Sequence, residues 1–225
     1  NAFMQKLGKQ TEIVIKPNKG ARGNGILLRA KKQHDGFTST SGKSWSSKAI
    51  KQHVEEILSG SFSQNGDEDA AYIEPMIHQH HSLKSIAPLG LCDIRIIVCN
   101  GKLLSAMLRI PTQKSKGKAN LHKGAIGTSI DLKTGVSGRS LLGGHVIQNH
   151  PDSNESLQNI QLPYWNEIKT IAEQCYHSIP LGYMGVDICL DEKQGPLVLE
   201  VNGRPGLEIQ NVNDDGIQNT VLGAF

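Results

Sequence analysis

The chain alternates short apolar runs with polar, glycine-rich connections, and helical spacing recurs in only two places. Ile50, Val54, Ile57 and Leu58 fall at i, i+4, i+7 and i+8, one face of an amphipathic helix. Ser46 or Ser47 can cap its start, and Gly60 can end it. Residues 163–179 predict a second helix. Pro163 stands near its start, Ile168, Ile171, Ala172, Cys175 and Ile179 share one face, and Pro180 stops it. The other apolar runs, residues 12–16, 26–29, 71–77, 130–135 and 143–147, read as strands. Residues 36–47, rich in Ser, Thr and Gly, read as a loop. Residues 93–109 predict a hairpin, because Asn100-Gly101 is the strongest short-range turn signal.

A second hairpin, residues 185–208 (GVDICLDEKQGPLVLEVNGRPGLE), organises the rest. A turn symmetric about Lys193 and Gln194 pairs Val186 with Val201, Ile188 with Leu199 and Leu190 with Leu197, an apolar face. On the other face Asp187 stands directly opposite Glu200, and Asn202 follows two residues on. Opposed residues have Cβ atoms about 4.5–5.5 Å apart, where like charges destabilise. A cation between the two carboxylates, or a proton on one, is therefore expected. Two carboxylates and an amide oxygen form a hard-oxygen set that suits magnesium rather than zinc. A solvated sheet face with incidental acids is the plainer alternative.

Three further stretches carry candidate chemistry. Residues 16–25 (KPNKGARGNG) join two strands. Gly20, Gly23 and Gly25 there let backbone N–H groups turn toward an anion, while Lys16, Lys19 and Arg22 add charge. The stretch lacks the G-K-[ST] ending and following helix of a Walker A loop, and a flexible hairpin loop is its plain alternative. In the 93–109 hairpin Asp93 and Arg95 share a face. A plain two-residue turn pairs Arg109 with Cys92 and turns it away, so a β-bulge or the strand end must re-aim it. Residues 111–124 hold Lys114, Lys116, Lys118 and Lys123 in a polar loop, a lid candidate or a charged mobile loop. His78, His80 and His81 lack partner spacing for a metal and read as a solvated loop, and His145 and His150 as structural or exposed.

Composition narrows the classes. The 225 residues suffice for a sizeable core, and a net charge of +3 is too mild to argue for nucleic acid. The cysteines Cys92, Cys99, Cys175 and Cys189 form no C-x-x-C pair and read as buried thiols in a reducing compartment. No apolar run approaches a membrane span, and no signal peptide opens the chain, so the expected location is cytoplasmic and off the membrane.

The run VD…LEVNGRPGLE resembles the metal-binding end of the ATP-grasp superfamily, whose ligases use E-V-N-x-x-P-G. DIR…AMLR and ANLHKG are similar to segments of the ribosomal-protein glutamate ligases and, more closely, of the alpha-L-glutamate ligase-like proteins. The resemblance runs from Lys16 to about Asn211. It implies an α+β ATP-grasp fold of two lobes, each an antiparallel sheet with helices, at residues 1–75 and 76–225. The α/β domain that usually precedes them is expected to be absent from this chain. It further implies that Asp187, Glu200 and Asn202 hold Mg2+, for which Mn2+ can substitute, on ATP. Lys16, Arg22, Gly23 and Gly25 would meet the phosphates, with Lys16 on the α- and β-phosphates. Glu74, Met76 and Ile77 would run along the adenine. Asp93 would contact the nucleotide, Arg95 and Arg109 the γ-phosphate and an acyl phosphate, and Lys118 and Asn120 the nucleotide side, with His122 and Lys123 weaker. Arg204 replaces a smaller residue of the glutamate ligases and can clamp a substrate carboxylate. The implied activity is ATP-dependent carboxylate–amine ligation through an acyl phosphate, joining glutamate or another amino acid to an amine. Its partners are ATP with carboxylate and amine substrates (amino acid, peptide or small molecule), with a homo-oligomer left open. A small-molecule kinase and a silent ATP-binding module are the alternatives.

Overall fold

A computed structural model of the chain describes residues 12–20, 24–33, 36–39, 42–63, 65–179 and 181–216. It divides into two compact units, Asn1–Met76 and Ile77–Phe225. Each is built on an antiparallel sheet, the α+β class expected.

In the first unit five strands lie in the order β4-β3-β2-β1-β5. They are β1 (Ile13–Pro17), β2 (Leu27–Gln33), β3 (Gly36–Ser39), β4 (Ser44–Trp45) and β5 (Ala71–Pro75). Strands β3 and β4 occupy the stretch expected to be a loop. Their pairing joins Phe37 to Trp45 and buries Phe37, an aromatic anchor hidden among small polar residues. Helix α1 (Ser47–Leu58) starts where predicted, with Ser46 Oγ accepting the Ala49 N–H at 3.2 Å. Its inward face carries Ile50, His53, Val54 and Ile57, while Leu58 stays exposed, contrary to the periodicity. His53 fits inside because Trp45 and Phe62 flank its ring and its Nε2 meets the Gly25 carbonyl at 2.8 Å.

The second unit holds seven strands in the order β10-β9-β8-β7-β6-β11-β12. They are β6 (Asp93–Cys99), β7 (Lys102–Ile110), β8 (Ile126–Ile130), β9 (Ser137–Leu142), β10 (His145–Ile147), β11 (Tyr183–Asp191) and β12 (Gly195–Asn202). Asn100 and Gly101 both adopt positive φ, +47° and +79°, the two-residue turn their sequence demands. Residues 131–135, expected as strand, form a turn instead. Asp131 accepts the Thr134 N–H and hydroxyl, both at 2.7 Å, so the chain reverses between β8 and β9. One sheet face packs Ile94, Ile96, Leu108, Val186 and Ile188 against Trp165, Ile168 and Ala172 of helix α2 (Trp165–Ser178). Ile179, expected on that inward face, lies beyond the helix and is exposed. The other face packs Ile97, Met107 and Leu141 beneath Ile209 and Val212 of helix α3 (Glu208–Asn213), which periodicity did not predict. Among the described residues no helix is long and apolar enough to cross a membrane.

Asp191 ties the β11–β12 turn to the start of this unit. Its Oδ1 accepts the Lys193 and Gln194 N–H groups and its Oδ2 the His78 N–H, each at 2.9 Å. Burial alone would raise its pKa, but the three N–H donors outweigh it and hold the carboxyl below its ordinary value. Asp191→Ala leaves three donors short of a partner and should cost about 2–4 kcal/mol at pH 7. Because the folded pKa is depressed, this contribution is full above the unfolded value of 3.8 and fades as pH falls through the folded one. Urea unfolding of parent and variant should therefore differ more at pH 7 than at an acid pH below 3.8. An equal loss at both pH values would assign the effect to packing.

Candidate functional site

Two β-bulges decide which side chains meet on the α3 face of the second sheet. Beside the Asn100-Gly101 turn Cys99 pairs with Lys102 and Val98 with Leu103. The register then shifts, so Ile97 pairs with Ser105 and Asp93 with Arg109. The extra residue, Leu104, re-aims Arg109 onto the face of Asp93 and Arg95, the bulge that the spacing required. In the other hairpin Gly185 pairs with Asn202, Val186 with Val201 and Asp187 with Glu200, as expected. Past Asp187 the register shifts. Ile188 pairs with Val198 rather than Leu199, and Leu190 with Pro196 rather than Leu197. The turn is centred on Lys193 alone, because Asp191 pairs with Gly195, and Leu199 is the extra residue that restores the Asp187–Glu200 opposition.

Strand β6 lies on the other side of β11 and sets Arg95 directly across from Asp187. Arg95 forks onto the carboxylate, Nε to Oδ1 at 2.7 Å and Nη2 to Oδ2 at 2.6 Å. Arg109 Nη2 donates to the same Oδ2 at 2.7 Å, while its Nε donates to Asp93 Oδ1. Among the described residues Arg95 is thus the cation that reaches both acids of the opposed pair, with its Nη2 4.0 Å from Glu200 Oε1, while Arg109 meets Asp187. Asp187 is 1% exposed. Burial pushes its pKa up, yet the Arg95 hydrogen bond and the two guanidinium charges more than reverse that and hold it below its ordinary value. Asp93 has only part of one arginine. Burial and the Asp187 charge prevail over Arg109, and its pKa rises from 3.8 to about 7. Arg109, between two carboxylates, is held more firmly charged than usual even though burial opposes it.

Magnesium fits this face as an ion carried mainly by a polyphosphate. Among the described residues no group of three His, Cys, Asp or Glu side chains could cage a metal. Mg2+ needs only one or two carboxylates when phosphates and water complete its shell. Asp187 has about four acceptor positions, of which the arginines use three. Glu200 is exposed, and Asn202 donates its Nδ2 to Glu200 Oε1 at 3.0 Å, so the amide oxygen is not consumed. Arg204 is exposed on the loop that follows, and Pro205 beside it is buried. That loop folds over Gly185, where a Cβ would come 2.7 Å from Pro205 Cβ and 3.7 Å from Arg95 Nε. Gly185 is a site residue that the hairpin pattern did not single out.

The remaining candidates lie apart or in the other unit. Lys118 is exposed on the 111–124 loop, and burial with the Lys123 and Lys116 charges lowers its pKa. The Asn120 Oδ1 is shut from solvent and accepts no hydrogen bond among the described residues. The turn after it docks on the same sheet face, because a Cβ on Gly127, paired with Arg109, would strike Leu121 and Val212. In the first unit Lys16 makes an ion pair with Glu74. Gly25 has φ +73° and spends its carbonyl on His53. Arg22 and Gly23 lie outside the described residues. Met76 ends the first unit and Ile77 opens the second, both half-buried. His80 is buried, with Nδ1 against Ser82, and is not part of a solvated loop.

Comparison with known proteins gives the chain's family. A family model described as sugar-transfer associated ATP-grasp matches residues 1–223. A probable alpha-L-glutamate ligase of Mannheimia succiniciproducens is 31% identical over 124 residues, 55% of this chain and 30% of that protein. One of Aeromonas salmonicida is 31% identical over 116 residues, 52% of this chain and 28% of that protein. The chain thus spans under a third of the length of these curated relatives. Among solved structures, D-alanine–D-alanine ligase from Bacillus anthracis superposes with a TM-score of 0.50 at 15% identity. That match covers 98% of this chain and 57% of that one, a likeness of fold.

The Asp93 proton can be tested by itself. A carboxyl whose pKa rises on folding stabilises the protein fully below 3.8, and the contribution is lost as pH climbs toward about 7. Asp93→Asn keeps the shape and cannot titrate. Between pH 5 and pH 8 the parent should lose up to about 3 kcal/mol more unfolding free energy than the variant, measured in urea. Parallel profiles would show that Asp93 is ionised throughout.

Proposed function

The chain belongs to the sugar-transfer associated ATP-grasp family, and on that premise we propose that it carries the nucleotide and phosphoryl-transfer site of an ATP- and magnesium-dependent carboxylate–amine ligase. The observation that carries the reading is the pair of buried guanidiniums held edge-on by carboxylates beside a hard-oxygen set. Asp187 grips Arg95 by Nε and Nη2, and Asp93 with Asp187 grips Arg109 by the same two atoms. Among the described residues no partner takes the Nη1 of either arginine, which leaves those donors for another anion in an orientation set before the ligand arrives. Such donors stabilise charge on a migrating phosphoryl group without having to reorganise.

Bound magnesium would supply charge neutralisation on the β- and γ-phosphates, with Asp187, Glu200 and Asn202 as its protein ligands. The chain's own residues do the rest. Arg95 and Arg109 orient the transferred group. Asn120 offers a buried acceptor that a ligand donor would satisfy. Lys16, paired with a half-exposed Glu74, exchanges that partner for phosphate at little cost. Arg204, exposed on the loop that follows Glu200 and Asn202, would meet a substrate carboxylate. The substrate carboxylate oxygen would take the γ-phosphoryl group of ATP, breaking its bond to ADP, and the resulting acyl phosphate is attacked at its carbonyl carbon by an amine, which gives up a proton as inorganic phosphate leaves. No side-chain nucleophile is needed, and glutamate or another amino acid is the acid that the relatives' names suggest.

Two experiments test the reading. With an ¹⁸O-labelled carboxylate substrate, label should pass into inorganic phosphate. Unlabelled phosphate with an accumulating phosphorylated alcohol would establish a kinase instead, and ATP binding without turnover a silent module. Separately, Glu200→Gln removes a charge from the exposed end of the cluster and leaves the Asp187–Arg95 fork in place. Its melting temperature without metal should match or exceed the parent's. Magnesium plus ATP should raise the parent by several degrees and the variant much less, since stabilisation follows ligand affinity. An equal rise in both would remove Glu200 from the metal site.

A further inference from the structure

The 111–124 loop gathers Lys114, Lys116, Lys118 and Lys123, whose like charges repel. Contacts other than ion pairs must hold its root. Thr112 and Ser115 are buried, and Thr112 Oγ1 donates to the Gly124 carbonyl at 2.7 Å, closing the loop. Thr112 N–H and Ser115 N–H reach each other's hydroxyls at 2.9 and 3.1 Å. Leu121 seats the far end on Gly127.

The flank is held from outside by an H-P-D turn. His150 is fully buried, the structural one of the two readings its sequence allowed. Its Nδ1 accepts the Asp152 N–H at 3.1 Å, and its Nε2 lies 2.9 Å from the Pro111 carbonyl oxygen. An amide only donates and a carbonyl only accepts, so the ring is the neutral tautomer with hydrogen on Nε2. Asp152 Oδ2 accepts the Gln113 N–H at 2.7 Å. The turn is anchored in its own right. His150 N–H donates to Glu155 and Asn154 N–H to His150, both at 2.8 Å, and Leu157 enters the core.

We propose that His150 and Asp152 are positioning residues, clamping residues 111 and 113 so that the lysine-bearing loop is ordered before a polyphosphate arrives. A loop ordered by folding loses less entropy on binding, and the ligand meets its cations already gathered. The proposal rests on the nucleotide-side role given to Lys118 and Asn120 above.

Three variants separate the clamp from general packing. Asp152 is exposed, so Asp152→Ala should fold while losing the Gln113 contact, and Asp152→Asn retains an acceptor oxygen. His150→Asn keeps an acceptor for the Asp152 N–H, as in an Asx turn, but is too short to reach Pro111. ATP affinity by calorimetry, melting temperature, and hydrogen exchange at the Gln113 amide are measured in each. Asp152→Ala should exchange faster at Gln113 and bind ATP roughly fivefold to tenfold more weakly, at a melting temperature near the parent's. Asp152→Asn should restore both, and His150→Asn should weaken ATP binding with the Gln113 contact kept. Faster exchange with unchanged ATP affinity overturns the proposal, as does an affinity that falls only in step with melting temperature. A parent that binds no ATP defeats the nucleotide reading itself, which the variants cannot do.

Discussion

A carboxylate stripped of water is the constraint on which the second unit depends. Asp187 sits in the middle of a sheet with its charge retained, and an unpaired charge there would be very costly. Arg95 and Arg109 answer it. Arg95 is directly across on β6, but Arg109 reaches it only because Leu104 bulges out of β7. Apolar residues of similar volume would hold these strands together at least as well, since buried ion pairs seldom add net stability. Stability therefore does not account for the cluster. On the proposed reading, two fixed guanidiniums whose Nη1 donors meet no partner among the described residues would account for it, because a migrating phosphoryl group needs such donors.

The same cluster explains which parts of the site could be read from sequence. The opposition of Asp187 and Glu200 follows from strand alternation and the spacing to the turn, and it survives because the turn's misplaced centre and the Leu199 bulge offset one another. Cross-strand partners nearer the turn lacked that compensation and came out one residue off. For Arg109 the pattern demanded a bulge without locating it, since nothing in K-L-L-S-A marks Leu104 as the extra residue. Gly185 escaped notice because its role is an absence of side chain, which leaves room for Pro205 and Arg95.

Several errors in the fold share one cause, polar side chains that work on backbone groups. Asp131 and Asp191 make turns by accepting N–H groups, and apolar periodicity does not register such contacts. His53 takes an inward position that hydrophobicity assigned to Leu58, because a carbonyl and two aromatic rings satisfy it. The 111–124 loop looked mobile on composition alone. Its threonine and serine hydroxyls close its root in a buried network, and the lysines project from a framework that is not itself charged.

The cations assigned to phosphate obey two different rules. Lys16 and Glu74 form a pair that water reaches on both sides, with side chains 28% and 47% exposed. Such pairs contribute about 0–1 kcal/mol, so on the proposed reading an arriving phosphate would replace the glutamate almost without penalty. The Arg95 and Arg109 pairs are largely shut from water, and breaking one would leave Asp187 with a single guanidinium. They cannot serve by exchange. On the proposed reading they would serve by keeping their carboxylates and offering the remaining edge of each guanidinium. An exchangeable lysine suits a group that must bind and leave with each turnover. A braced arginine suits a group whose charge is moving, where a displaced donor would have to be reorganised during the reaction.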